Sequence, residues 1–401
     1  MICKISFDFF IFCAILALRM KKLLKKTADF FQAETVLSVA IILAIISAFF
    51  VHPDKLYISY INWRVLAILT GLILVMEGYK HLGIFSDIAG FLIRHLKNDT
   101  GICMMLIGLC FFFSMFLTND VALITFVPLT IELMTKSGRK HYLIPVTVMQ
   151  TVAANLGSML TPIGNPQNLY LYYKMNVSVP EFLMLMLPLT AASAILIVLT
   201  ALIWIKIAGK EKVAGNEPAQ TGKRNSHGKK KILLYSVLFV LNILTVLYNS
   251  IPWYVPLTIT VIAAVIADGE KRVLKTDYSL IFTFIAFFIF VGNMSRIPAL
   301  ANTLESLLEG RELMVSALLS QVISNVPCVI LLSGFTGNLK ALLYGCDIGG
   351  LGTLIASMAS LISYKYIAMN DKKARMPYFI RFTAVNVLFL IPLYLFALML
   401  L

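Results

Sequence analysis

Between positions 142 and 173 the chain has no Asp, Glu, Lys or Arg, yet it contains three prolines, Pro145, Pro162 and Pro166. An uncharged run of that length exceeds the ~20 residues that a helix needs to cross a hydrocarbon core. Its centre, Gly157-Ser158-Met159-Leu160-Thr161-Pro162-Ile163-Gly164-Asn165-Pro166-Gln167-Asn168, cannot be one continuous helix, because proline removes a backbone donor and clashes with the preceding turn. In lipid every N–H and C=O needs a partner, so a helix breaks at depth only where protein or enclosed water satisfies the freed groups. The pattern therefore predicts an all-α, polytopic membrane protein with transmembrane helices broken at polar sites.

Further apolar runs cover 35–51, 65–82 with Glu77, 101–133 with Asp120 and Glu132, and 182–205. Beyond them lie 232–248, 253–267, 278–295, 313–335, 341–364 with one Asp, and 382–401. Hydrophobic residues make up 59% of the chain and charged ones 13%, about half the share of a soluble protein, which excludes a soluble enzyme. The net charge of +14 then has a membrane reading, since basic residues gather on cytoplasmic loops. Most Lys and Arg fall on one side if the run Lys21 to Lys26 and the linker 209–231 are placed inside. That linker has seven Lys or Arg and two Glu with no apolar period. The expected location is the plasma membrane with a cytoplasmic linker, and no nucleic-acid partner is expected.

The organisation expected is an N-terminal segment 1–34, a first repeat 35–208, the linker 209–231, a connecting helix 232–252 and a second repeat 253–401. Two readings of the N-terminus stay open: an interfacial anchor at 9–18, too short to span, or a start at Met20. The six cysteines contain no C-x-x-C pair and read as apolar packing residues.

The halves are weakly self-similar. Asn62 to Leu66 resembles Asp277 to Ile281, Leu117 to Ile124 resembles Ile323 to Ile330, and Asn155 to Leu160 resembles Gly350 to Ile355. One span separates the copies, so the second is expected to run inverted, a pattern that points to a secondary transporter with its site where the repeats meet. Thr118-Asn119-Asp120 and Ser324-Asn325-Val326-Pro327 are expected to be tips of re-entrant hairpins. Asn165 followed by Pro166 has the form of an N-cap and first helical position, so a half-helix should restart there with its N–H groups facing the site. The counterpart 349–360 keeps glycines and hydroxyls but lacks proline and amide. An anion could bind the half-helix N-terminus, while amide and backbone oxygens could hold Na+.

The order of these features resembles the ion transporter superfamily, in particular its citrate-transporter-like and arsenite-permease-like branches. The carrying elements are a Thr-Asn-Asp tip, the break G-x-x-x-T-x-I-G-x-P-x-N, a basic linker and a Ser-Asn-Val-Pro tip. The resemblance covers nearly all of 35–401. It implies a substrate site lined by Thr118, Asn119, Thr161, Asn165, Asn168, Ser324, Asn325, Ser357 and Ser360. It further implies coupling-ion positions between each tip and its break, drawn from Asn119, Asp120, Gly157, Gly164, Asn325 and Gly352. The tips differ from the Ser-Asn-Thr of the sodium/dicarboxylate branch. The expected activity is cation-coupled transport of a small anion such as citrate or succinate by alternating access. Arsenite or other inorganic anion efflux is the second reading and Na+/H+ antiport the third. No organic cofactor is expected; Na+ or H+ serves as coupling ion, and no other metal is called for. Partners expected are the lipid bilayer and the small anion, with a homodimer left open.

Asp120 stands at membrane depth, where a carboxylate is costly and by default functional, although it could equally cap the second hairpin arm. Glu77 reads as a structural partner of Lys80. An intramembrane enzyme is disfavoured, since no His-Glu-x-x-His motif or nucleophile elbow occurs. A passive channel fits two occluding hairpins poorly.

Overall fold

A computed structural model of the chain describes residues 35–84, 87, 91, 98–209, 228–248 and 250–401. The N-terminal segment 1–34 and most of the basic linker 209–231 lie outside the described residues, so the readings placed on them stand as expectations. Among the described residues every regular element is a helix.

The first half holds α1 (Thr35–Phe50), α2 (Leu56–Tyr60), α3 (Trp63–Leu82), α4 (Asp99–Leu117), α5 (Asn119–Lys136), α6 (Leu143–Ser158), α7 (Pro166–Met175) and α8 (Val179–Ala208). After α9 (Lys229–Leu247) come α10 (Tyr254–Asp268), α11 (Glu270–Lys275), α12 (Ser279–Ser295), α13 (Pro298–Leu308), α14 (Glu312–Ile323), α15 (Asn325–Leu332), α16 (Leu339–Gly349), α17 (Met358–Asn370) and α18 (Arg375–Leu400). Five described stretches are apolar and long enough to cross a membrane: Trp63–Leu82, Asp99–Leu117, Val179–Ala208, Lys229–Leu247 and Lys372–Leu400. α12 and α13 meet at a bend of 102° and could count as a sixth, broken span.

Local chemistry sets the ends. Asn62, Asn98 and Asn338 cap α3, α4 and α16 by accepting from Val65, Gly101 and Ala341 N–H. Ser178 and Glu181 form a reciprocal capping box at α8. The long α8 and α18 expose much apolar surface, including Met184, Ile203 and Met399, as expected of helices that face lipid hydrocarbon. Some charges near helix ends pair, as in Arg139–Asp99 at 2.8 Å and Lys80–Glu77 at 3.4 Å. Glu77 thus has its structural partner, with His81 at 3.2 Å as well.

The halves interlock. α1 of the first half packs on α12 of the second, and α10 of the second packs on α3 of the first. Inside, α4 packs on α6 just as α14 packs on α16. α4 folds back on α5, and α14 on α15, through single-residue corners with nearly the same backbone: Thr118 at φ 76°, ψ 149° and Ser324 at φ 73°, ψ 154°. The two pairs differ in reach, because α4 and α5 have 19 and 18 residues but α14 and α15 only 12 and 8.

Those corners occupy a region that essentially only glycine adopts freely, at a cost of about 1–3 kcal/mol each. Thr118→Gly or Ser324→Gly is therefore expected to raise the thermal midpoint of the purified protein by on the order of 2 °C. The relief is partly offset by glycine's extra freedom when unfolded, about 0.5–1 kcal/mol. A fall in the midpoint would mean that the hydroxyls contribute more than the strain removes.

Candidate functional site

Both corners place an asparagine at the start of the next helix, and both asparagines dock the same way. Asn119 N–H donates to the Gly164 carbonyl at 3.1 Å, and Asn325 N–H donates to the Ala356 carbonyl at 3.0 Å. Each side-chain oxygen turns back to the following N–H, Asp120 or Val326, at 2.9 Å. Each corner is therefore fixed to the helix break of its own half. Asp120 sits in the first turn of α5 rather than at its cap, and its Oδ1 has no hydrogen-bond partner.

The first break runs from the end of α6 to the start of α7. Asn165 has extended backbone and caps α7, its Oδ1 accepting from Asn168 N–H at 2.8 Å, with Pro166 at the first helical position. The local sequence specified this restart, since Asn caps and Pro at the first position are both favoured. Asn168 Nδ2 donates to the Met159 carbonyl at 3.0 Å, and Thr161 Oγ1 donates to the Met115 carbonyl. Gly157 lies within α6 against the Phe111 carbonyl of α4, where a Cβ has no room, so its place there is a helix crossing. Gly164 is confined by the Ser158 carbonyl.

The second break joins α16 to α17. Gly352 has φ 110°, available to glycine, and lies against Gln321 of α14. Gln321 Nε2 donates to the Gly349 and Leu351 carbonyls at 2.8 Å each, while its Oε1 accepts from Thr353 N–H at 2.9 Å. Ser324 Oγ lies 3.4 Å from the Ala356 carbonyl. Ser357 caps α17 without bonding the helix; its hydroxyl turns to Asn155 Oδ1 at 3.0 Å.

Asn155, buried on α6, joins the halves. Its Oδ1 accepts from Asn119 Nδ2 at 3.1 Å as well as from Ser357. Its Nδ2 faces the Gly350 carbonyl and Ser360 Oγ, both at 3.4 Å. The amide lacking in the second break is supplied by the first half. The structure thus gathers Asn119, Ser357 and Ser360 around Asn155, and Asn325 lies beside Gly350. Thr118 and Thr161 stand at the edge of the cluster, half-buried.

Sequence reading missed Asn155, Gln321 and Asp347. Asn155 opened a segment of the internal repeat, and Asp347 is the one acid in an otherwise uncharged run; both signals were there. Asp347 is buried on the last turn of α16, where its Oδ1 accepts from Asn165 Nδ2 at 3.3 Å and Gln167 Nε2 at 3.1 Å. Apart from the acids Asp120 and Asp347, the bonds just described use amides, hydroxyls and backbone groups. Two cavities lie beside α5, away from these contacts. One of 230 Å³ is lined by Lys80, Ile124, Thr125 and Glu132 among others, and one of 430 Å³ by Ile131, Lys136 and Tyr366 among others.

A family model described as citrate transporter matches residues 30–338. The inner membrane protein YbiR of Escherichia coli is 32% identical over 351 residues, 85% of this chain and 90% of that protein. An uncharacterized transporter of Methanocaldococcus jannaschii is 31% identical over 84% of this chain and 90% of its own length. A silicon efflux transporter of rice is 25% identical over 44% of this chain and 38% of its own. With broken helices in an apolar bundle and a match across three quarters of its length, the chain belongs to the citrate transporter family, as a multi-pass membrane transporter of the citrate transporter and arsenite permease type.

Proposed function

We propose that this transporter moves a small anion, with a di- or tricarboxylate such as citrate or succinate as first choice, driven by Na+ or H+ through alternating access. The observation that carries the reading is the docking of each corner on the break of its own half, with Asn155 bridging the halves. Anion charge has two kinds of partner there. The first N–H groups of α17 follow a cap whose side chain points elsewhere, and a helix N-terminus favours negative charge. Hydroxyls and amides supply the remaining donors. No Lys or Arg occurs within the four breaks, so a co-bound cation would balance the substrate. The two halves act in this reading as inverted repeats, supported by the matched corner geometry and by the exchanged packing of α1 and α10. The cavities beside α5 would serve as a route from one membrane face.

Export of arsenite or another inorganic anion is the second reading, favoured by the likeness to the silicon efflux transporter of rice.

Purified protein in liposomes is expected to accumulate labelled citrate or succinate several-fold faster under an inward Na+ or H+ gradient. Indifference to both gradients, with arsenite or silicate driving counterflow instead, would shift the assignment to the second reading. Gradient-independent flux without counterflow would mark a pore and overturn both.

A further inference from the structure

Asp347 carries more than the candidate site asks of it. Its side chain is buried among three amides that belong to the start of α7, in the other half of the chain: Asn165 and Gln167 donate to Oδ1, and Asn168 lies beside the carboxyl. Oδ2 is buried with no hydrogen-bond partner, and Asn168 Oδ1 is likewise an acceptor without a donor. A buried carboxyl oxygen without a partner leaves a donor missing, because buried polar groups are nearly always satisfied.

Among the described residues no cationic side chain fills that place, and Lys340 on α16 itself donates to the Leu400 carbonyl at 2.7 Å. Lys174 on α7 donates its ammonium to the Ser333 carbonyl, and Glu312 on α14 accepts from Thr336 Oγ1 at 3.1 Å. α6 carries no ionisable side chain. α15 contributes Cys328, which contacts Cys346 at 3.6 Å, and Arg381 of α18 is exposed. On α18, Arg375 also turns to the Ala368 carbonyl and Tyr378 hydroxyl to Thr151. On α7, the Tyr170 hydroxyl pairs with Ser333, and on α16 itself Tyr344 donates to the Leu185 carbonyl.

We propose that Asp347 is a proton-binding site of the transport cycle, carrying its proton on Oδ2 when α7 and α16 are packed together as here and releasing it when they separate. A proton on Oδ2 supplies the missing donor and leaves Oδ1 free to keep both amide bonds. A Na+ ion would need several oxygens, whereas two of the three amides already turn N–H groups toward this carboxyl. Because α7 and α16 come from different halves, any motion between them opens or closes the carboxyl to water. The site rests on the transporter reading, and names its coupling ion.

The test is an infrared difference spectrum of the full-length protein in detergent at neutral pH, wild type against Asp347→Asn. The wild type should show a protonated-carboxyl C=O band that the variant lacks. Gln167→Met, which removes one hydrogen bond to that C=O, should move the band to higher frequency, and it decides the matter if Asp347→Asn fails to fold. In liposomes, the ratio of citrate uptake with and without an inward proton gradient should fall from several-fold to about one in Asp347→Asn. No band difference, an unmoved band in Gln167→Met, or loss of the band on adding Na+ overturns the proposal. If wild-type protein transports nothing, the transporter reading of the substrate fails while the spectra still decide whether Asp347 holds a proton.

Discussion

Asn155→Ala should abolish gradient-driven uptake while leaving a folded protein in the membrane. The side chain makes four contacts at once, to Asn119, Ser357, Ser360 and the Gly350 carbonyl, and so ties the first corner to the second break. Interhelical hydrogen bonds in membrane proteins average about 0.6 kcal/mol, so their combined loss costs about 2–3 kcal/mol. That is a drop in thermal midpoint of several degrees and still compatible with a folded bundle whose helices are held mainly by packing. The functional loss is far larger. Without the amide, Asn119 Nδ2 and the Ser357 hydroxyl lose their common acceptor, and the polar groups that would receive substrate no longer hold one geometry. Asn155→Asp separates the two halves of the effect, because it retains the acceptor for Asn119 and Ser357 but gives up the donor to Gly350 and Ser360. Its uptake should lie between wild type and alanine. Uptake by Asn155→Ala at the wild-type rate, measured in liposomes at equal protein density, would remove Asn155 from the transport site.

The second large effect is expected at Gly164. A methyl group there would fall inside the Ser158 carbonyl, which is backbone and cannot swing away, and the same residue's own carbonyl holds Asn119 N–H. Gly164→Ala must therefore either open the first break or undock the corner. Overpacking of this kind costs about 1–3 kcal/mol, and here the loss of docking adds to it. The expected result is a sharp fall in monodisperse yield from detergent, with a lowered thermal midpoint in what survives. Gly108 is the internal control, because it lies in α4 with nothing near its missing Cβ. Gly108→Ala should be neutral or slightly stabilising, since alanine favours a helix over glycine by roughly 1 kcal/mol. Equal behaviour of the two variants would show that the break is not built as described.

What could be read from the sequence was local. Asn165 and Pro166 announce a cap and a helix start within two residues, and the structure places both in those roles. The long apolar runs located α3, α8 and α9 to within three residues at each end, because burial in lipid demands length and apolarity that few other folds require, whereas α18 begins seven residues before its run. What stayed hidden was non-local. Asn155 inside a helix reads like any polar residue gluing two helices, and its partners Gly350, Ser357 and Ser360 lie about 200 positions away. Asp347 could have been flagged by the rule that marked Asp120, but nothing near it in sequence shows that three amides of another half surround it. The reading of Asp120 as a cap failed for a simpler reason. Asn119 stands one position earlier and takes the neighbouring N–H itself, while the corner residue Thr118 adopts a backbone that threonine rarely accepts.

The interlocking of the two halves also bears on how the chain is made. Asn293 of α12 donates to Ser47 of α1 at 3.0 Å across 246 residues. At about 5–20 residues per second of synthesis, α1 stands in the bilayer for roughly 12–50 s before α12 exists. During that interval α1 faces lipid on the side that α12 later covers, and α3 waits similarly for α10. Biogenesis therefore passes through a half-built bundle whose first helices hold their places without their final neighbours, and a first half made alone would end there.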